Sequence, residues 1–199
     1  MGKAVENKLK KYSSILSSSF ELFSTKGFSK TSVEDIVKKA DVAKGTFYLY
    51  FKDKFDLREK LIINSAQKLF DVAIEQSGYK NKESFTDKLC AITDVILGEM
   101  ARQPLLTKFL RGNISWAVFH KSLEHGRGQG KYDYIGILKE EMGKEEAKYH
   151  DPEIMIFMII ELISSTSYSV IVENDPVSLD VYKPHLHGCI AAIANSFKE

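Results

Sequence analysis

The segment from Lys44 to Phe51 combines small, hydrogen-bonding and basic side chains that suit contact with a nucleic acid. Phe47 and Phe51 lie four residues apart, so on a helix they would face inward together. Thr46 can then bond to a base edge or pack its methyl group on thymine, and Leu49 can make a similar apolar contact. These residue types predict a helix that reads the major groove of DNA.

Groups that suit the phosphate backbone surround this predicted helix. Tyrosine hydroxyls and lysine ammonium groups, including that of Lys52, can contact phosphates and neutralise their charge. Thr31 and Ser32, at the start of a helix, can hold a phosphate with hydroxyl and amide groups, and Gly45 lets the backbone approach DNA. The predicted DNA-contacting residues are Thr31, Ser32, Val33, Lys44, Gly45, Thr46, Tyr48, Leu49, Tyr50 and Lys54.

Two further predicted helices position the reading helix. The first is predicted from about Glu6 to Thr25, because its apolar residues recur every three or four positions. Gly27 is well placed at its C-terminal cap. Those residues are Leu9, Tyr12, Leu16, Phe20 and Phe23. The second begins at Thr31, whose hydroxyl would form a capping box with Glu34. With residues 44–51, these elements predict a tri-helical helix-turn-helix arrangement.

Charge is distributed unevenly along the chain. Residues 1–60 contain 13 lysines and arginines against 8 acidic residues, a net charge of +5, whereas the remainder carries −4. A basic N-terminal third on an acidic body favours a polyanionic partner at one end, although small counts also fluctuate by chance.

The run from Phe28 to Leu57 resembles the N-terminal domain of tetracycline-repressor-type (TetR) regulators, whose pattern includes Lys-Gly-Thr-Leu-Tyr followed by Tyr/His-Phe. Three positions depart from that pattern. Asp41 stands where Gly is usual, but Asp tolerates left-handed backbone, so the turn should survive. Ala43 stands where Ser is common and Tyr50 where His is frequent. The resemblance implies a DNA-binding regulator whose body binds a small effector and dimerises.

The rest of the chain also shows helical patterning, and its scarce Pro and Gly favour long elements. Predicted helices span Phe55 to about Gln76, Ser84 to about Arg102, Pro104 to Leu110, Ile114 to Leu123, Tyr132 to Met142, Pro152 to about Glu173, and about Pro184 to Phe197. We therefore predict an all-α fold, with a DNA-binding domain at 1–53 and a helical effector-binding and dimerisation domain at 54–199.

The body offers candidates for both predicted activities. The helices at 154–172 and 184–197 are the expected homodimer surface, and the second carries small residues, among them Gly188, Ala191, Ala192 and Ala194. Ordinary core packing is the alternative for both. The predicted pocket for a small organic effector is aromatic, with a glycine-rich loop at 126–130 as a possible gate. Its residues are Phe109, Trp116, Phe119, His120, Tyr132 and Tyr134.

The segment from Ile154 to Val172 is apolar enough to resemble a membrane span, but Glu161 and several hydroxyl residues interrupt it, and we predict a soluble, cytoplasmic protein without a membrane partner. Cys90 and Cys189 are expected to be buried free thiols. No dinucleotide or phosphate-loop fingerprint occurs, and the histidine spacing does not favour a metal site, so we predict no enzyme and no cofactor.

Two functions follow from these observations. The leading prediction is a dimeric repressor that leaves a palindromic double-stranded DNA operator when a small molecule binds. The alternative is a DNA-binding adaptor whose body docks a protein partner and binds no small molecule. A solid body without a cavity would favour the alternative.

Overall fold

A computed structural model describes residues 2–110 and 131–199, and the chain divides into two units, Met1–Ile62 and Ile63–Glu199. The first unit therefore extends beyond the boundary predicted at residue 53. The helices of the first unit are α1 (Lys3–Thr25), α2 (Val33–Ala40), α3 (Lys44–Tyr48) and the start of α4 (Lys54–Gln76).

The core of the first unit consists of apolar residues at the predicted helical spacing. Ile15, Ile36, Phe47 and Leu57, one from each of α1 to α4, are fully buried. The Ser14 hydroxyl on α1 donates to the carbonyl oxygen of the last α2 residue at 2.9 Å. The helix-turn-helix is thus held on α1 by apolar packing with a polar tie at its edge.

Gly27 follows the C-terminal cap of α1 with φ = 89°, a left-handed geometry that glycine adopts without strain, as predicted. The prediction that Thr31 caps the second helix was wrong. The Thr31 side chain is buried and its hydroxyl donates to the Gly27 carbonyl at 2.8 Å. Ser32 caps α2 instead, in a capping box completed by Asp35. The buried hydroxyl closes the loop, so the exposed neighbouring hydroxyl is the one free to cap.

The described part of the second unit contains the rest of α4, a 3₁₀ turn at Tyr79–Asn81, and five further helices. These are α5 (Phe85–Arg102), α6 (Pro104–Leu110), α7 (Tyr134–Met142), α8 (Pro152–Tyr168) and α9 (Leu179–Ser196). A π-helical turn, Ser169–Glu173, continues α8. The described residues form no strand, only an isolated bridge between Tyr149 and Lys198. The predicted helix at 114–123 and the glycine-rich loop lie outside the described residues.

Three expectations for the second unit need correction. Helix α9 begins at Leu179, and Pro184 is its sixth residue, where the missing amide hydrogen removes one backbone hydrogen bond within the helix. Ala194 is buried in the core and so cannot face a partner. Cys189 is exposed, while Cys90 is half-buried, and burial followed by the nearby Asp94 charge raises the pKa of the Cys90 thiol to about 11.

One helical stretch, Pro152–Glu173, is long and apolar enough to cross a membrane by length and composition alone. Only 28% of its most apolar window is buried within the single chain. Ile154, Phe157 and Met158 are exposed by 53%, 40% and 44%. This helix therefore has a partly exposed apolar face.

Candidate nucleic-acid interface and effector cavity

Helix α3 ends at Tyr48 rather than at the predicted Phe51, but the segment from Lys44 to Phe51 still has an inward and an outward face. Phe47 and Phe51 are buried and lie against each other, with ring centroids 5.5 Å apart. Tyr48 and Leu49 are exposed by 52% and 80%. A Cβ atom built on the exposed Gly45 would meet nothing within 4 Å, so internal packing does not require glycine there. An exposed Leu side chain of this size on a short helix is free to contact a partner.

The turn before α3 has the geometry that the sequence predicted for Asp41. This residue caps α2 with φ = 53° and ψ = 51°, a left-handed conformation. The amide of Val42 then donates to the Val37 carbonyl at 3.1 Å. Ala43 begins α3 without a side-chain capping bond. The turn therefore keeps its shape although Asp41 and Ala43 depart from the expected residues.

Lys44 is paired within the protein. Its ammonium group bonds the Glu34 carboxylate, and both side chains are more than half exposed. The hydrogen bond from Lys44 lowers the pKa of Glu34, and the reciprocal bond raises the pKa of Lys44. A phosphate would have to compete with Glu34 for this ammonium group, at a cost that solvent screening keeps small.

Two residues predicted to contact phosphates are engaged elsewhere. The Tyr50 hydroxyl donates to the Lys8 carbonyl oxygen at 3.1 Å. The Lys54 ammonium donates to the carbonyl oxygens of Phe28 and Thr31 at 2.8 and 2.9 Å. It also lies 4.4 Å from the centroid of the Phe28 ring. Lys54 therefore ties the start of α4 to the loop between α1 and α2.

The other residues predicted to contact DNA differ in how far their side chains are exposed to solvent. Ser32 is exposed, but its hydroxyl accepts from the Asp35 amide at 3.1 Å and so already serves α2. Val33 and Thr46 are half-buried, and Thr31 is buried. The predicted DNA-contacting residues that are exposed are Ser32, Lys44, Gly45, Tyr48 and Leu49.

The second unit contains a cavity between α4, α5, α7 and α8, with about 850 Å³ of space including its opening to solvent. Apolar side chains line most of it, chiefly aliphatic ones such as Leu69, Ile96 and Ile159, together with the aromatic Phe70 and Tyr134. Ser164, one of its few polar residues, donates its hydroxyl to the Glu161 carbonyl at 3.2 Å. The walls therefore suit a hydrocarbon group and offer little to a charged one.

The predicted aromatic pocket agrees with this cavity only at Tyr134, which lines it. The Tyr134 hydroxyl donates to the Asp71 carboxylate at 2.7 Å, and burial followed by this bond raises the Tyr134 pKa. Tyr132 instead bonds Glu75 at 3.2 Å, and the half-buried Phe109 does not line the cavity. Trp116, Phe119 and His120 lie outside the described residues. Sequence reasoning missed the aliphatic walls because their spacing is also that of an ordinary core.

The described residues contain no group of three or more His, Cys, Asp or Glu side chains placed to hold a metal ion.

Comparison with known proteins decides the family. The sequence model of "Bacterial regulatory proteins, tetR family" matches residues 15–61. The helix-turn-helix segment of the chain is therefore of the tetR type. A relative, the uncharacterized HTH-type transcriptional regulator YvdT of Bacillus subtilis strain 168, is 37% identical over 89 residues, 45% of this chain and 43% of that protein. The matched segments span less than half the length of the curated relatives.

Solved structures of tetR-family regulators share the fold along nearly the whole chain. A putative tetR family regulator from Shewanella sp. PV-4 has a TM-score of 0.68 at 19% identity, covering 95% of this chain and 98% of that one. FadR from Bacillus subtilis in complex with stearoyl-CoA has a TM-score of 0.65 at 21% identity, covering 90% and 97%. The predicted all-α fold, with an N-terminal helix-turn-helix and a helical C-terminal domain, is confirmed. The proteins that this chain resembles are DNA-binding transcriptional regulators, the class that the sequence predicted.

Proposed function

We propose that this tetR-family regulator is a cytoplasmic, dimeric repressor that binds a palindromic operator and leaves it when a lipophilic small molecule fills the cavity of the second unit. The aliphatic cavity carries the effector part of the proposal. A ligand that binds the DNA-incompetent conformation more tightly shifts the population away from the operator.

Base reading is assigned to the exposed end of α3. Tyr48 and Leu49 project from a helix whose opposite side is fixed by Phe47 and Phe51. A side chain on a rigid helix loses little further order on binding, so its contacts count toward specificity. Apolar contact with a thymine methyl suits Leu49, and a hydroxyl contact suits Tyr48.

Dimerisation is assigned to the exposed sides of α8 and α9. Ile154, Phe157 and Met158 give α8 an exposed apolar face. On α9, Gly188 and Ala192 are exposed small residues four positions apart, which allow close helix approach. Two-fold symmetry places two reading helices on two half-sites of one operator, which raises affinity without new contacts per protomer.

The effector class follows from the cavity walls. A ligand with a long hydrocarbon chain would bury that chain against Leu69, Ile96 and Ile159 and keep its charged end outside, because the walls offer no charged partner. Stearoyl-CoA, bound by the structural neighbour FadR, has this chemistry and is the first compound to test. The cavity also argues against the adaptor alternative, which expected a solid body.

The reader assignment is tested with a duplex that the full-length protein selects from a randomised pool. Tyr48→Ala and Leu49→Ala should weaken binding to this duplex about tenfold or more, since one good base contact contributes about 1–3 kcal/mol of discrimination. Fluorescence anisotropy measures the affinity, and circular dichroism checks the fold. Unchanged affinity in both variants would refute the reader assignment.

The effector assignment is tested on the same complex. Stearoyl-CoA should release the protein from the duplex and raise its melting temperature, whereas CoA without the acyl chain should do neither. The Ile160→Trp variant, in which a larger side chain from α8 fills the cavity, should bind the duplex normally. Stearoyl-CoA should neither release it from the duplex nor raise its melting temperature. Equal responses to CoA and stearoyl-CoA would contradict a hydrocarbon site.

A further inference from the structure

Helix α1 begins well before the family domain. It starts at Lys3, whereas the match to the family begins at residue 15. Twelve residues of regular helix rise by about 18 Å. This stretch, residues 3–14, contains four lysines at positions 3, 8, 10 and 11 and a single acidic residue, Glu6. We call it the α1 extension.

Aromatic contacts fix the α1 extension beside the end of the reading helix. The Tyr12 ring stacks on Phe51 at 5.4 Å between centroids and meets the edge of Tyr50 at 5.7 Å. The Tyr50 hydroxyl donates to the Lys8 carbonyl oxygen at 3.1 Å. Tyr50 and Phe51 follow directly after α3 and its cap. The extension therefore has a defined position relative to the surface that reads DNA.

Two lysines of the extension share the side that carries Tyr12. Lys8, Lys11 and Tyr12 are spaced three and four residues apart, so they are neighbours on the helix surface. Lys8 and Lys11 are exposed, and no acidic side chain of the described residues lies within ion-pair distance of either. Lys10 points to the opposite side at 100° per residue and pairs with Glu6 at 2.7 Å.

The position of Lys8 and Lys11 suits the phosphates that border the contacted groove. The major groove is about 12 Å wide, so groups just beyond the end of a helix lying in it meet the backbone on either side. Lysine there neutralises phosphate charge without reading bases. We propose that Lys8 and Lys11 bind backbone phosphates of the DNA that flanks each half-site, which lengthens the footprint beyond that of the family domain. This inference rests on the proposed binding of DNA by α3.

The test asks whether Lys8 and Lys11 contribute to affinity only when the DNA includes the base pairs that flank the half-sites. The selected duplex is prepared in a long form with flanking base pairs and in a form trimmed to the two half-sites. Lys8→Ala/Lys11→Ala should bind the long duplex more weakly, and the slope of log affinity against log salt should fall by about 1.8, or 0.9 for each lost phosphate contact. On the trimmed duplex the variant should equal the wild type.

Lys10→Ala is the control for a single charge, because it removes one lysine from the opposite side of the same helix, where the expected slope change for a phosphate contact would be about 0.9. It should leave the affinity and the slope unchanged on both duplexes. Lys8→Gln/Lys11→Gln repeats the test with helix-favouring residues, and circular dichroism reports whether α1 is intact.

Three outcomes overturn the inference. Wild-type slopes in both double variants would show that these lysines touch no phosphate. An equal loss on the long and trimmed duplexes, or an equal loss in Lys10→Ala, would indicate a general charge effect instead. If the wild type selects no duplex at all, the proposed DNA reading fails, and this inference fails with it.

Discussion

Lys54 was predicted to contact DNA, but its ammonium group bonds within the protein. Replacing it with Met distinguishes a structural role from a DNA-contacting role. Its ammonium group donates to two carbonyl oxygens of the α1–α2 loop, on Phe28 and Thr31, at 2.8 and 2.9 Å. The same group lies over the Phe28 ring at 4.4 Å. Met keeps most of the aliphatic side chain but removes the charge and both hydrogen bonds. The two carbonyl oxygens must then accept hydrogen bonds from water.

The expected loss of stability follows from these contacts. A hydrogen bond from a charged group contributes about 1.5–3 kcal/mol, and a cation–π contact about 0.5–1 kcal/mol. Lys54 is half-buried, so water restores part of each contribution in the variant. We expect Lys54→Met to destabilise the first unit by about 2 kcal/mol, since effects of neighbouring contacts do not add in full.

Amide hydrogen exchange of the α2 segment measures this effect locally. A loss of 2 kcal/mol corresponds to about 30-fold faster exchange through opening, because each 1.4 kcal/mol is a factor of ten. Lys52→Met is the matched control, since Lys52 is exposed two residues away. It should leave exchange unchanged and lower the salt slope of DNA binding by about 0.9. Normal exchange in Lys54→Met together with a reduced salt slope would refute the structural role of Lys54.

Three further predictions concern the core, the cap and a buried ion pair. Phe47→Ala removes a fully buried ring and should lower the free energy of unfolding of the first unit by about 3–5 kcal/mol, which urea denaturation measures. A side-chain hydrogen bond from Lys26, followed by a backbone hydrogen bond within the Ser32 cap, lowers the Asp35 pKa from 3.8 to about 2. The ionised Asp35 carboxylate therefore stabilises the fold above pH 4, and this stabilisation is lost as the pH falls toward 2. An NMR titration that gives Asp35 an ordinary pKa would contradict this prediction. Lys88→Met breaks a pair with Glu141 at 2.7 Å whose side chains are 9% and 6% exposed, but Lys144 still bonds the Glu141 carboxylate at 2.8 Å. Thermal unfolding should therefore show a loss of about 1.5–3 kcal/mol that a second change, Glu141→Leu, partly restores.

The helix-turn-helix was predictable because its signals are local. Helical spacing predicted the inward pair Phe47 and Phe51, and left-handed backbone at Gly27 and Asp41 follows from residue type. The capping residue was predicted wrongly because two hydroxyl residues stand side by side. Only the packing of the loop decides that the Thr31 side chain is buried and leaves the cap to Ser32.

The cavity was not predictable in the same way. Periodicity shows that Ile96, Ile156 and Ile159 face inward, but it does not show whether the space they face is filled. The aromatic residues around Tyr132 and Tyr134 drew attention because they cluster in sequence. The cavity instead collects residues from four helices that are distant in sequence, and only the tertiary arrangement brings them together.

Net charge alone overstates what the first unit can offer to DNA. The sequence gives residues 1–60 a charge of +5, but several lysines are already committed within the protein. Lys26 pairs with Asp35 at 2.7 Å, Lys39 pairs with Glu21 at 2.6 Å, and Lys44 pairs with Glu34. Each of these must exchange a carboxylate for a phosphate before it releases a counterion from DNA. The salt dependence of operator binding should therefore depend chiefly on uncommitted lysines such as Lys8, Lys11 and Lys52, which lie outside the helix that reads the bases.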